Sequence, residues 1–289
     1  MAVINYTFNS FSYFFIMHIY APFKVKFVDN FIFCTYSLFI QKKECKVGIY
    51  MAKLERLDKV LANMGYGSRK DVKSFIKAGL VSVNGKIILD NSFKVDPNND
   101  MIQFKDGVVN YRKYVYLMMN KPQGLVSSTD DPFSRTVIDL LPEEYLIYKP
   151  FPAGRLDKDT EGLLLLTNDG QLAHQLLSPK KGVDKTYYVE VEGYVDESYI
   201  VAFKEGVVLD DGYKCLPAQL EIIQPDLISK VYLTIQEGKF HQVKRMFQSF
   251  DMRVVYLKRI SMGPLKLDES LASGEFRELT EEELSLLKS

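Results

Sequence analysis

A chain of 289 residues, 47% hydrophobic and 26% charged, has room for one large folded domain or two smaller ones. Lys plus Arg and Asp plus Glu both total 37, so formal net charge is zero and any nucleic-acid surface must be a local patch. Cys34, Cys45 and Cys215 match neither a disulfide framework nor a zinc pattern, which implies a reduced, cytoplasmic protein.

The first fifty residues differ from the rest. Phe11, Tyr13, Phe14, Phe15, Phe31, Phe33, Tyr36 and Phe39 crowd a stretch poor in Leu and Ala, which Asn5, Asn9, Asp29 and Asn30 interrupt. The apolar runs are shorter than the roughly eighteen residues of a membrane span, and the basic start of a secretory signal is missing. An ordinary domain opens at Met51. The contrast predicts that translation starts there and that residues 1–50 are upstream sequence read in frame; a real extension is the alternative.

Leu54, Leu57, Leu61 and Met64 recur at helical spacing, and Gly65 and Gly67 stop that helix. Ser68 caps a second helix whose apolar face is Val72, Phe75 and Ile76, ending at Gly79. Val81 to Ile88 reads as a hairpin about the Asn84-Gly85 turn, and short strands follow at Val95 and before Asp106-Gly107. Arg56, Lys59, Arg69, Lys70, Lys73 and Lys77 fall on or beside the two helices. Arg69, Lys73 and Lys77 share one face, as a stripe that either grips phosphates or is simply solvated.

Residues 54–100 resemble the S4 RNA-binding domain. The likeness lies in the Arg56-to-Leu61 opening, the Gly-Ser-Arg-Lys turn and the Gly79-to-Gly85 transition. The resemblance implies RNA binding through Arg56, Arg69, Lys70, Lys73 and Lys77, and by itself no chemistry.

After a link at 107–113, Tyr114 to Asn120 reads as a strand broken by Lys121-Pro122-Gln123-Gly124. Val137, Ile138, Leu140 and Leu141 then follow at helical spacing. Further on, 186–191, 207–209, 218–223 and 231–235 read as strands, with helices at 171–177, 197–205 and 240–250. There is no parallel βαβ rhythm and no Gly-rich phosphate fingerprint. The expected class is α+β: a small S4-like αα-β domain over 51–110, then a mixed, largely antiparallel domain over 111–289.

The most distinctive segment is Pro152 to Gly170, in which ionisable residues crowd a loop that precedes the apolar strand Leu163–Leu166. A polar loop anchored on a strand buried on both faces suits catalytic groups. From the residues alone, catalysis and an Arg-Asp pair pinning an ordinary loop both stay open. No metal-spaced His, Cys or carboxylate cluster appears, and His174 and His241 read as structural or phosphate-contacting.

This segment resembles the central motif of the pseudouridine synthases, in the branch that modifies ribosomal RNA and carries an N-terminal S4 domain. Gly154-Arg155-Leu156-Asp157 matches the motif of the family's invariant aspartate. Lys185-Thr186-Tyr187 and Gly238 to Phe247 match two further motifs. The resemblance, over about 51–285, implies Asp157 as catalytic carboxylate, Tyr187 as the ring that stacks on uracil, and Lys244 as the cation beside Asp157, with Arg245 as runner-up. Arg155 and Arg245 are assigned to RNA binding, and Asp159, Glu161 and Asp169 read as residues that cap turns or pair with local bases. No metal or other cofactor is required. Asp157 either adds to base or ribose, or takes the ribose C2′ proton.

Val207 to Leu209, Lys214 to Leu220 and Glu237 to Arg245 look most like the small-subunit enzymes that act at uridine 516 of 16S rRNA. The implied partner is therefore 16S rRNA, or an assembling small subunit, met by a monomer with no membrane and no obligate protein partner. The alternatives are a 23S rRNA synthase of the same branch and a non-catalytic RNA-binding assembly factor.

Overall fold

A computed structural model describes residues 25–28, 31–34 and 54–289. Strands β1 (Val25–Val28) and β2 (Phe31–Cys34) pair antiparallel as a separate unit. Apart from this pair, the expectation for residues 1–50 lies outside the described residues.

The second unit begins with a small domain built from β3 (Glu55–Arg56), α1 (Leu57–Asn63), α2 (Arg69–Lys77), β4 (Val81–Val83), β5 (Lys86–Ile87), β6 (Lys94–Val95), β7 (Ile102–Phe104) and β8 (Gly107–Val108). The first helix starts later than its periodicity predicts, because Glu55 and Arg56 pair as a strand with Val95 and Lys94. Ser68 caps α2 as expected: its side chain accepts from the Asp71 amide, and the Asp71 carboxylate accepts from the Ser68 amide. Leu57, Val60, Leu61, Val72, Ile76, Val81 and Ile102 meet in one core. That packing leaves Arg69, Lys70, Lys73 and Lys77 on the exposed side of α2.

The larger domain is one twisted sheet with strand order β13-β14-β12-β15-β11-β9-β17. Its members are β9 (Tyr116–Lys121), β11 (Glu161–Thr167), β12 (Lys185–Glu192), β13 (Gln219–Gln224), β14 (Ile228–Ile235), β15 (Arg253–Met262) and β17 (Phe276–Glu278). The short strands β10 (Phe151–Pro152) and β16 (Leu265–Lys266) pair at its side. Helices α3 (Glu143–Leu146), α4 (Gly170–Leu177), α5 (Glu197–Glu205), α6 (Gln242–Gln248) and α7 (Glu281–Lys288) complete it. The sheet buries apolar side chains on both faces: Leu164, Leu166, Val189 and Leu233 on one, Leu163, Leu165 and Met118 on the other. No described helix is long and apolar enough to cross a membrane.

Four expectations are corrected. Val207–Leu209 is no strand; only an isolated bridge from Val208 to Lys214 forms there. Residues 138–140 make a single 3-10 turn instead of a helix. The helix expected over 240–250 spans only Gln242–Gln248, because His241 before it takes the left-handed conformation, with φ of 49°. One parallel pairing does occur, between β11 and β15 at Glu161–Lys258 and Gly162–Arg259.

That pairing demands Gly162. Its φ is 100°, and an added Cβ would come within 2.3 Å of the Arg259 carbonyl oxygen. Gly162→Ala is therefore expected to destabilise the protein by more than about 3 kcal/mol. A urea melt checks this, and an unchanged midpoint would refute it.

Candidate active site

The sequence from Ala153 to Thr160 links β10 to β11 and is fixed by its backbone. The Ala153 amide donates to the Leu165 carbonyl at 2.7 Å, and the Gly124 amide donates to the Lys158 carbonyl at 2.7 Å. Ser127 Oγ accepts from the Leu156 amide at 3.1 Å and donates to the Leu156 carbonyl at 2.9 Å. Beneath the loop lies Lys121, fully buried at the end of β9. Its Nζ donates to the carbonyls of Pro122, Asp157 and Thr160 at 3.0, 3.1 and 2.9 Å. Burial pushes the Lys121 ammonium down to about 8, against the opposing pull of Asp159, Asp157 and Glu161. In the sequence Lys121 opens the segment that breaks this strand; the available signal is a lysine closing an apolar run before Pro and Gly.

The alternation along this loop buries Leu156 and turns Arg155 and Asp157 outward, Arg155 exposed and the Asp157 side chain 30% exposed. Helix α6 approaches from the other side. Val243, Met246 and Phe247 bury one of its faces, which aims Lys244 at the loop. Lys244 Nζ lies 2.6 Å from Asp159 Oδ1 and 3.5 Å from Asp157 Oδ2. The expected partner of Asp157 is thus in place, but its tightest bond is to Asp159. Burial alone would push the Asp159 carboxyl up; the hydrogen bond and charge of Lys244 hold it below the usual carboxylate range. Arg245 is corrected as runner-up for Asp157, because its guanidinium is taken by Asp210 and Asp211. His241, which the sequence left without a partner, places Nε2 3.7 Å from Asp157 Oδ1 and stacks on the exposed Phe240 ring.

Asp157 and His241 line a cavity of about 1030 Å³, together with Arg155, Lys185, Tyr187 and Arg259 among others. Tyr187 is 7% exposed; it packs in the core behind the site and also lines the cavity. Among the described residues no His, Cys, Asp and Glu group has metal-binding geometry.

The stripe on α2 lies in the other domain. Arg69, Lys70, Lys73 and Lys77 are exposed, whereas Arg56 is engaged with the buried Asp58 at 2.9 Å.

The RNA pseudouridylate synthase family matches residues 115–249, and the S4 domain matches residues 55–101. An uncharacterized RNA pseudouridine synthase of Bacillus subtilis is 56% identical over 233 residues, 80% of this chain and 98% of that protein. Ribosomal small subunit pseudouridine synthase A of Escherichia coli is 42% identical over 231 residues, 80% of this chain and 98% of that protein. The chain belongs to the RNA pseudouridylate synthase family. A crystal structure of a pseudouridylate synthase, 40% identical, superposes with a TM-score of 0.57 over 80% of this chain and 99% of that one. The synthase is an isomerase with an S4-like domain ahead of a largely antiparallel synthase fold, as its sequence leads one to expect.

Proposed function

We propose that this synthase converts uridine to pseudouridine in ribosomal RNA, at uridine 516 of 16S rRNA, with Asp157 as the catalytic carboxylate. The observation that carries the reaction is the placement of Asp157. It is a partly exposed carboxylate on a loop fixed by its backbone, at a cavity able to hold a nucleotide, with Lys244 and His241 facing it. The substrate rests on the relatives whose names specify the ribosomal small subunit.

The target uridine leaves the RNA stack and enters the cavity, at a cost smaller for a loop nucleotide than for a paired one. Asp157 then loosens the bond between uracil and ribose, by adding to the substrate or by taking the C2′ proton. Tyr187 offers a ring face on which the freed uracil turns, and a ring face discriminates little between pyrimidines. Arg155, exposed beside Asp157, is placed to hold a backbone phosphate. The α2 stripe grips neighbouring helical phosphates and so sets register.

Lys244 keeps Asp157 and Asp159 from repelling one another. Lys244→Met is expected to slow the single-turnover rate by about a hundredfold with little change in RNA affinity, and Arg245→Met by far less. A crippled Arg245 variant beside a normal Lys244 variant would reverse this assignment.

Replacing Arg69, Lys73 and Lys77 together by Gln should weaken RNA binding and flatten its salt dependence. Three fewer phosphate contacts lower the slope of log affinity against log salt by about 2 to 3. Equal slopes in a filter-binding titration would remove the stripe from the interface.

The substrate is tested by deleting the gene and mapping pseudouridines in both large ribosomal RNAs by carbodiimide treatment and primer extension. One stop lost from 16S rRNA at position 516, restored by the wild-type gene, is the expected result. A stop lost from 23S rRNA instead would overturn the substrate and leave the reaction standing.

A further inference from the structure

Two buried cations at the cavity have no part in the chemistry described so far. Arg259 on β15 is 2% exposed and stands opposite Tyr187 of β12 in the antiparallel register. Its Nε donates to the Leu163 carbonyl at 2.8 Å, while its Nη2 is buried and has no hydrogen-bond partner. Lys185 is 5% exposed, two residues before Tyr187 on the same face of β12. Its Nζ donates to the Val183 carbonyl at 3.0 Å. Burial, then the charge of Arg259, push the Lys185 ammonium below its ordinary range. Among the described residues, neither cation forms an ion pair with a carboxylate. Both line the cavity that holds Asp157.

Two neighbouring cations buried without a counter-ion oppose folding, and a buried donor left open adds to that. Such an arrangement marks a place where a ligand supplies the missing acceptor. The acceptor must be slim. A phosphodiester carries a sugar on either side and does not reach cations that expose so little surface. The carbonyl edge of a flat ring lying against Tyr187 meets both residues along the cavity wall that they line.

Resting on the synthase reading above, we propose that Arg259, with Lys185 beside it, donates to a ring carbonyl of the target uracil and takes up the charge that develops there. When the C1′–N1 bond breaks, its electron pair stays with the ring and spreads over N1 and the carbonyl oxygens. After the ring turns, C5 supplies the pair for the new C1′–C5 bond. The C5 proton is lost and N1 gains one, so the sum is an isomerisation. Donors fixed in a dry site act on charge that appears only as the bond breaks, and therefore speed the reaction more than they tighten binding.

The test compares the full-length wild type with Arg259→Gln and Arg259→Lys on unmodified 16S and 23S rRNA transcripts containing uridine or 5-fluorouridine. Fluorine makes the ring a better leaving group and lessens its need for a cation. Cleavage of the nucleoside bond is followed under single turnover by nucleoside mass spectrometry. Arg259→Gln should lose about a hundredfold on uridine, about tenfold less than that on 5-fluorouridine, and little RNA affinity. Arg259→Lys, which keeps the charge, should recover part of the loss. If Arg259→Gln does not fold, Arg259→Lys and Lys185→Gln carry the same comparison. Equal losses on uridine and 5-fluorouridine RNA, or a loss confined to affinity, would overturn the assignment while leaving the synthase reading intact. A wild type inactive on both uridine transcripts would overturn both.

Discussion

Asp157→Asn protein is expected to form no pseudouridine, a loss of at least about ten-thousand-fold, while keeping its fold and its RNA affinity. The amide matches the carboxylate in size but neither adds to carbon nor accepts a proton. The fold should survive because little structural load falls on this side chain. Its contacts are an ion pair at 3.5 Å to Lys244 and an approach of 3.7 Å to His241, both part-exposed, and such surface contacts contribute at most about 1 kcal/mol. The loop is held instead by backbone bonds to Ser127, Gly124 and Lys121. Single-turnover assays beside a thermal melt separate the two effects. Turnover by the variant within tenfold of wild type would remove Asp157 from its role.

Lys121→Met should show the converse pattern, with activity lost because the loop is lost. The substitution leaves the carbonyls of Pro122, Asp157 and Thr160 without their shared donor in a buried place. Removing one partner of a buried charged network costs about 3 to 5 kcal/mol, a large share of a typical domain's stability. The pH dependence follows from the direction of the shift. The lysine titrates at about 8 in the folded protein and near 10.4 when unfolded. Below pH 8 it is charged in both states, and the cost of burying that charge is fully present. Between about pH 8 and 10.4 the unfolded chain binds more protons, so this group's contribution to stability rises with pH. The stability difference between wild type and Lys121→Met should therefore widen across that window in urea melts. A constant or shrinking difference would mean that burial does not depress this lysine.

Much of the fold is written in local signals. Ser68, the Asn84-Gly85 turn and the all-apolar Leu163–Leu166 run each mark an element that forms where expected, because a cap, a left-handed turn and a two-sided burial are decided within a few residues. Strand β15 escapes such reading. Lys258 and Arg259 interrupt its apolar pattern, and its place in the sheet between β12 and β11 depends on partners about 70 and 95 residues earlier in the chain. Its parallel pairing with β11 likewise has no local sign. The site divides in the same manner. Asp157, Tyr187 and Lys244 stand in recognisable motifs; the fold brings Asp157 and Tyr187 to one cavity and Lys244 to 3.5 Å from Asp157. Lys121, Lys185 and Arg259 carry charges that normally mark a surface, and only their carbonyl acceptors and neighbouring strands reveal them as buried. The hold of Lys244 on Asp159, 85 residues apart, is equally invisible before the loop and α6 meet.

The most direct measurement is release of tritium from ribosomal RNA labelled at uracil C5, using the purified full-length protein without added cofactor. Forming a bond from C5 to the ribose expels the hydrogen there. Wild type should release tritium in a one-to-one ratio with the pseudouridine found in the same RNA, and the Asp157→Asn protein should release none. RNA that is bound tightly but keeps all its tritium would contradict an isomerase centred on Asp157 and identify a binding protein instead.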